Sequence, residues 1–357
     1  MPGLPASHPY AILGMAAVIP LLLSWSMTWA LIRWAPRLGL VDYPAARKVH
    51  TRPTPKGGGL AIYLAMVLST CAIAAAQHWP VRLLGDWSAW LFLGLGAVIV
   101  SVGLLDDLRP MPWQLRLLSQ FIVAGAAVYW RLEGEHWLLR VFALFWIVGL
   151  INAFNMLDNM DALSSGVAWV AAVFLALTWA SAGESGERAV PYIMLLGAIS
   201  GFLYFNWPPA RIFMGDAGST FLGYFIGLGS VETGLHFRSS VPWWWAVPLC
   251  MLAVPWYDLI SVVLIRLSQG RSPFHADKQH LSHRLVDRGW SSPEAVRIIH
   301  LLTLASGAAG LFLERVGPPG AIAIAAVFIA GWSALAIREY LARKAMASKE
   351  TVPQEQK

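Results

Sequence analysis

Long apolar runs separated by short polar stretches organise this chain. Eleven segments approach the roughly 20 mostly apolar residues that a membrane-spanning helix needs: 10–34, 58–79, 87–105, 113–130, 137–151, 163–182, 189–205, 220–236, 243–267, 295–313 and 320–340. The fifth is short and carries Arg140, and the seventh is also short. The pattern predicts an all-α fold, a polytopic integral membrane helical bundle of about 11 transmembrane helices. Residues 1–340 form a single transmembrane domain in this reading, and 341–357 a short polar cytoplasmic tail. No Lys or Arg precedes the first apolar run, which is too long for the core of a secretory signal. It reads as a first membrane helix.

Composition sharpens the picture. Hydrophobic residues make up 57% of the chain and charged residues 13%; counting Gly in place of Tyr, the apolar share is about 63%, against averages of roughly 45–50% apolar and about 25% charged in soluble domains. That excess excludes a soluble enzyme, a disordered tail protein and a nucleic-acid binder. The 19 Trp residues suit a membrane–water interface. Cys71 and Cys250 sit in apolar runs and form neither a disulfide framework nor a thiolate metal site. No internal repeat is visible. Placing the N-terminus outside and the C-terminus inside puts 20 of the 26 Lys and Arg on the inner face, as the positive-inside bias requires. The same face then holds every dense polar cluster: 35–57, 106–112, 152–162, 206–219 and 268–294. Together they describe one composite cytoplasmic site.

Five clusters could carry chemistry. In 42–60, Pro44, Pro53 and Pro55 stiffen a loop that ends in Gly57, Gly58 and Gly59 at a helix start. Arg47, Lys48, His50, Arg52 and Lys56 surround it, which suits a phosphate or, more blandly, an ordinary positive-inside loop. Asp106 and Asp107 are adjacent carboxylates at a membrane boundary; a cation such as Mg²⁺, a role as base, or a solvated helix end would explain them. Asn152, Asn155, Asp158 and Asp161 recur every three residues and would share a helix face. With no Lys or Arg among them, they call for a metal or a basic partner from another loop, or act as caps. Asp216 lies between Gly215 and Gly218 at a helix start, as a single Mg²⁺ ligand or an N-cap. His280, His283 and Arg284 follow Lys278 and suit a diphosphate, which Arg grips bidentately; an exposed basic helix is the plainer view. Asp258, inside the ninth apolar run, is expected to pair with Arg266.

In order and content these clusters resemble the polyprenyl-phosphate N-acetylhexosamine-1-phosphate transferases, membrane enzymes that start lipid-linked glycan synthesis. The resemblance runs from about Asp42 to Arg284. The pattern D-x-P-x-x-R-K-x-H-x-x-P-x-P-x-G-G is met by Asp42, Pro44, Arg47, Lys48, His50, Pro53, Pro55, Gly57 and Gly58. The paired acids match Asp106 and Asp107. N-x-x-N-x-x-D-G-x-D-G is met by Asn152, Asn155, Asp158 and Asp161, with Asn159 and Ala162 in place of the two glycines. F-M-G-D-x-G-S matches from Phe213 to Ser219. H-x-H-H-R is met by His280, His283 and Arg284, with Ser282 in place of the middle His. That ending is more like the N-acetylglucosamine-1-phosphate branch than the muramyl-pentapeptide branch.

The resemblance implies transfer of a sugar-1-phosphate, N-acetylglucosamine-1-phosphate first of all, from a UDP-N-acetylhexosamine to undecaprenyl phosphate in a bacterial plasma membrane, with release of UMP. It implies Mg²⁺, with Mn²⁺ as an alternative, held by Asp216 and Asn155. His283, Arg284 and Lys48 would grip the donor diphosphate, with His50, Asn152, Asp158, Asp161 and His280 in the substrate-binding set. Asp106, with Asp107 beside it, would act on the acceptor phosphate. Direct attack by the lipid phosphate is favoured over a covalent aspartyl-phosphate. A second copy of the chain is a candidate partner, alongside membrane lipid. UDP-N-acetylmuramoyl-pentapeptide is the alternative donor. Two other classes fit the sequence less well: a transporter of an anionic substrate, disfavoured because its polar site would lie near mid-bilayer, and a CDP-alcohol phosphotransferase, disfavoured by the missing D-G-x-x-A-R stretch.

Overall fold

The computed structural model describes residues 9–44, 52–76, 87–181, 186–239, 241–274 and 277–350. All eleven predicted apolar segments coincide with helices. They are α1 (Pro9–Trp34), α2 (Gly58–Ala76), α3 (Trp87–Leu108), α4 (Trp113–Arg131), α5 (Trp137–Leu157), α6 (Leu163–Ser181), α7 (Val190–Asn206) and α8 (Asp216–Phe237), then the pair α9 (Ala246–Met251) and α10 (Ala253–Ser268), and, after the short α11 (Leu281–Val286), α12 (Ser292–Leu313) and α13 (Pro318–Glu350). Seven of them (α1, α2, α3, α5, α6, α12 and α13) are long and apolar enough to cross a bilayer by length and composition. A helical backbone satisfies its own polar groups, so it is the natural way for such a chain to enter lipid. The protein is a polytopic helical membrane protein.

Three boundaries differ from expectation. The fifth segment is a full helix that carries on through Asn152 and Asn155 to Leu157. The ninth breaks at Leu252 into α9 and α10; prolines at 248 and 255, each lacking a backbone donor, flank the break. The last helix continues past Tyr340 to Glu350, where an irregular tail was expected over 341–357. Leu341, Ala342, Ala345 and Ala347 favour helix, and a helix already nucleated extends cheaply. Residues 351–357 lie outside the described residues.

Helix α8 is the axis of the bundle, buried along most of its length, and packs on α3 and α5. Small residues bring the helices together, as is usual in lipid. A Cβ on Gly59 of α2 would stand 2.0 Å from the Gly218 Cα of α8, and one on Gly103 of α3 would stand 2.5 Å from the Ala217 Cα. The first turn of α8 is therefore clamped between α2 and α3. Helix α1 packs on α2 and α7, and α12 on α6 and α9. The only sheet among the described residues is a two-residue antiparallel pairing, Val41 with Pro55 and Asp42 with Thr54.

Candidate active site

The polar clusters meet at one end of this bundle. They line a cavity of about 1040 Å³ with contributions from Arg52, Lys56, Asp107, Asp158, Asp161, Asp216, Lys278, His280 and His283. A second recess of about 60 Å³ is lined by Arg116, Gln120, Asn152, Asn155 and Asp216, with Trp113 and Phe274 among its apolar walls. Asp216 lines both. The Trp113 and Phe274 rings stack with centroids 3.9 Å apart.

The 54–59 segment is stitched to 213–214 by backbone bonds. Phe213 N–H donates to Pro55 O at 2.8 Å, Gly58 N–H to Phe213 O at 3.0 Å, and Gly59 N–H to Met214 O at 2.9 Å. This corrects the phosphate-cradle reading of the glycines: the Gly58 and Gly59 donors are spent on the 213–214 strand. Their lack of a side chain serves helix approach instead. Lys48 and His50 lie outside the described residues.

Asp106 and Asp107 are neighbours with different partners, because successive residues on a helix point about 100° apart. Asp107 is 9% exposed. Its Oδ1 accepts from Asp216 N–H and its Oδ2 from Ala217 N–H, both at 3.3 Å, and Lys56 Nζ lies 3.5 Å from Oδ1. It thus caps α8 from another helix, at the positive end of the helix dipole. Asp216 was read as a ligand or as the cap. The structure makes Gly215 the N-cap position, with φ 77°, and gives the capping bonds to Asp107. The Asp216 side chain is left to face the cavity. Asp106 accepts from Met111 N–H and from Arg116 Nη1, the latter at 2.7 Å; the same Nη1 reaches Asp216 Oδ2 at 3.0 Å. Arg116 therefore ties α3, α4 and α8 through one guanidinium.

The four polar positions after 151 do not share one helix face. Asn152 and Asn155 lie on α5, Asp158 caps its C-terminus, and Asp161 falls in the turn beyond. Asn155 Nδ2 donates to Ser219 Oγ at 3.1 Å. Asn152 Nδ2 donates to Gln120 Oε1 at 2.6 Å. Asp161 Oδ2 accepts from Ala210 N–H at 2.9 Å. Burial first, then the negative charges of Asp216 and Asp107, push the Asp158 carboxyl well above the usual carboxylate range. The turn closes at Ala162 with φ 59°, a left-handed conformation that suits glycine. One of the two glycines the motif lacks therefore has a backbone reason.

The His loop forms the six-residue α11. His280 Nδ1 lies 2.8 Å from Asp258 Oδ2, and Leu281 N–H donates to Asp258 Oδ1 at 2.6 Å. Asp258 thus orients the ring, the usual task of a carboxylate behind a functional histidine. This overturns the expected pairing with Arg266, whose fork holds Asp277 at 3.0 and 3.1 Å. Burial, then the positive charges of His280 and Lys278, hold the His283 imidazole below its ordinary value. Ser282 Oγ donates to Asn159 Oδ1 at 2.6 Å, so two departures from the motif touch each other. Arg284 does not line the cavity. It is 5% exposed and bound to Glu339.

Arg116 and Gln120 were missed by the sequence reading. The one available signal was Arg116 itself, a cation early in an apolar segment ten residues after Asp106. Asp216 and Asn155 line the same recess and offer a carboxylate and an amide oxygen, ligand types that suit a hard divalent cation such as Mg²⁺, although Arg116 Nη1 stands 3.0 Å from the Asp216 carboxylate. Among the described residues no three His, Cys, Asp or Glu side chains converge as a closed metal cage.

Fold and site define a multi-pass membrane protein with a polar cavity of mixed charge at one end. The family model for glycosyl transferase family 4 matches residues 89–234. The chain is similar to the probable undecaprenyl-phosphate N-acetylglucosaminyl 1-phosphate transferase of Bacillus subtilis (strain 168), 30% identical over 302 residues that cover 81% of each chain. It is similar to the decaprenyl-phosphate N-acetylglucosaminephosphotransferase of Mycobacterium tuberculosis (strain ATCC 25618 / H37Rv), 30% identical over 369 residues, 91% of this chain and 88% of that one. It is also 28% identical, over 78% of each chain, to the undecaprenyl-phosphate alpha-N-acetylglucosaminyl 1-phosphate transferase of Escherichia coli (strain K12). The chain belongs to glycosyl transferase family 4, and it is an enzyme.

Proposed function

We propose that this enzyme transfers N-acetylglucosamine-1-phosphate from its UDP-sugar to undecaprenyl phosphate, releasing UMP, at the cytoplasmic face of a bacterial plasma membrane. The observation that carries this reading is the cavity at the end of the bundle. Acids (Asp107, Asp158, Asp161 and Asp216) and cations (Arg52, Lys56, Lys278) share its lining. It has the size of a nucleotide-sugar pocket. A soluble diphosphate and a membrane-held phosphate can meet only at such a boundary. The basic bias, 20 of 26 Lys and Arg on one face, supports a cytoplasmic orientation with the N-terminus outside.

In this reading Asp216 and Asn155 would hold Mg²⁺, and the chemistry it would supply there is screening of charge on the donor diphosphate. Lys278 and His283 approach the same diphosphate from the opposite wall. Arg116 offsets the charge of Asp106 and Asp216, so that an anionic acceptor can come close to both. Asp106, fixed by Met111 N–H and Arg116, faces the acceptor phosphate. Asp107 contributes by holding the start of α8, and with it Asp216, in place. The lipid phosphate has a second pKa near 6. Much of it is therefore already dianionic, and it can attack the sugar-bearing phosphorus directly as the bond to UMP breaks.

The test is UMP release from UDP-N-acetylglucosamine by membranes containing the protein. Release should need both undecaprenyl phosphate and Mg²⁺. Release without the lipid phosphate refutes the acceptor; full activity in chelator refutes the metal. Exchange of labelled UMP into the donor without any acceptor would favour the covalent route.

A further inference from the structure

The short helix α11 presents His280 and His283 to the cavity but has only six residues. A helix that short does not hold itself together in water. Three side-chain ties fix it: Asp258 to His280 and Leu281, Asn159 to Ser282, and Glu339 to Arg284. The first two come from the neighbourhood of the cavity. The third comes from the last helix, far along the chain and away from the cavity lining.

Helix α13 is otherwise barely engaged with the bundle. Within Pro318–Ala342 only Ala321 and Glu339 are buried, Glu339 at 2% exposure. A carboxylate in an apolar helix is costly unless it is paired, and this one is fully employed. Arg284 Nε donates to Oε1 at 3.1 Å, and Nη2 lies 3.0 Å from Oε2. Tyr257 O–H donates to Oε2 at 2.7 Å, and Arg288 Nη1 stands 3.8 Å from Oε1. Arg284 also donates to Ser261 Oγ and to the Gln279 carbonyl. The Gln279 contact reaches the residue just before His280, so the guanidinium braces both ends of the histidine segment. The fork that the motif would aim at a diphosphate is instead turned toward the last helix.

We infer that Glu339 is a positioning residue of the donor site, acting through Arg284 to hold His280 and His283 against the cavity. The inference rests on the proposed function for the identity of the donor. Removing one partner of a buried pair leaves the other charge uncompensated, so α11 should shift or loosen when Glu339 is neutralised. The acceptor side, built on Asp106 and Arg116, has no tie to Glu339.

The experiment measures steady-state kinetics with each substrate varied in turn, on purified full-length protein normalised to its folded amount. Glu339→Gln should raise KM for UDP-N-acetylglucosamine about tenfold, the effect of one charge-assisted hydrogen bond, and leave KM for undecaprenyl phosphate unchanged. Arg284→Gln should do the same. The double variant should lose clearly less than the sum of the single ones, because each single change already breaks the Glu339–Arg284 contact. Ile324→Ala, which thins the packing of α13 on the core, should lower Tm without moving either KM. Should Glu339→Gln fail to fold, Tyr257→Phe removes one bond to Glu339 and keeps every charge; a smaller rise in donor KM is then expected. Unchanged donor KM in Glu339→Gln, or in Tyr257→Phe where that stands in, would overturn the inference, as would additive losses in the double variant. Absence of UMP release by the wild-type protein would instead remove the proposed function before any variant is compared.

Discussion

Gly215→Ala tests the geometry at the start of α8 more sharply than any charge change. Gly215 has φ 77°, and a Cβ added there would sit 2.5 Å from Asp107 Oδ2 and 3.0 Å from its Cγ. Two costs follow. An L-residue in the left-handed region costs about 1–2 kcal/mol. Asp107 cannot step aside freely, since it caps Asp216 N–H and Ala217 N–H and faces Lys56; losing a cap costs about 0.5–2 kcal/mol. Together the substitution should destabilise by about 1.5–4 kcal/mol. Because the displaced carboxylate sets the position of Asp216, kcat/KM for UMP release should fall by about a hundredfold even per folded molecule, about 2.7 kcal/mol of barrier. The assay pairs thermal unfolding with UMP release on purified protein. Gly94→Ala is the control, since a Cβ there meets nothing within 4 Å, and it should be close to silent. A Gly215→Ala enzyme with wild-type Tm and kcat/KM would refute the claim that Asp107 holds Asp216 through the helix start.

Two further outcomes test the departures from the family motif. Ala162→Gly at φ 59° should cost little or no stability in chemical denaturation, although Gly elsewhere costs roughly 0.5–1 kcal/mol relative to Ala; a loss above about 1.5 kcal/mol would show that the turn is not strained. Asn159→Ala and Ser282→Ala should each weaken donor use, and a double-mutant cycle should return a coupling of about 1 kcal/mol for their bond; strictly additive effects would mean the 2.6 Å contact does not matter in solution.

The helices were legible because each apolar run is long enough to announce itself, even where Arg140 or a short length weakened the signal. The gathering of Asp107, Asp158, Asp216 and His283 around one cavity was legible from their placement on one side of the runs. What local pattern could not supply was the partner of each charge. Asp258 takes His280, 22 residues away, instead of Arg266; Arg284 takes Glu339, 55 residues away. A carboxylate and a guanidinium attract each other at any chain separation, so only the packing of α10, α11 and α13 decides which pairs form. Glu339 carried no motif at all. The glycines at 58 and 59 illustrate the converse error: their flexibility was visible, but whether it serves a ligand or a neighbouring helix depends on where the 213–214 segment lies.

The three acids at the start of α8 divide their work in a way that follows from charge accounting in a confined space. Asp106, Asp107 and Asp216 would repel one another strongly if all three were ionised and unaccompanied. Lys56 stands by Asp107, and Arg116 stands between Asp106 and Asp216. Two cations stand against these three carboxylates, and burial first, then the charges of Asp216 and Asp107, push the nearby Asp158 carboxyl well above the usual carboxylate range. Carboxylates gathered in this way attract a divalent cation and repel a phosphate. On the proposed function the metal would therefore arrive with or before the anionic substrates, and the His280–His283 wall would meet the donor from the other side. Arg116 is the hinge of this balance, because it bonds both Asp106 and Asp216. On the proposed function its single guanidinium would set how near an anionic acceptor can come to the donor's reacting phosphorus.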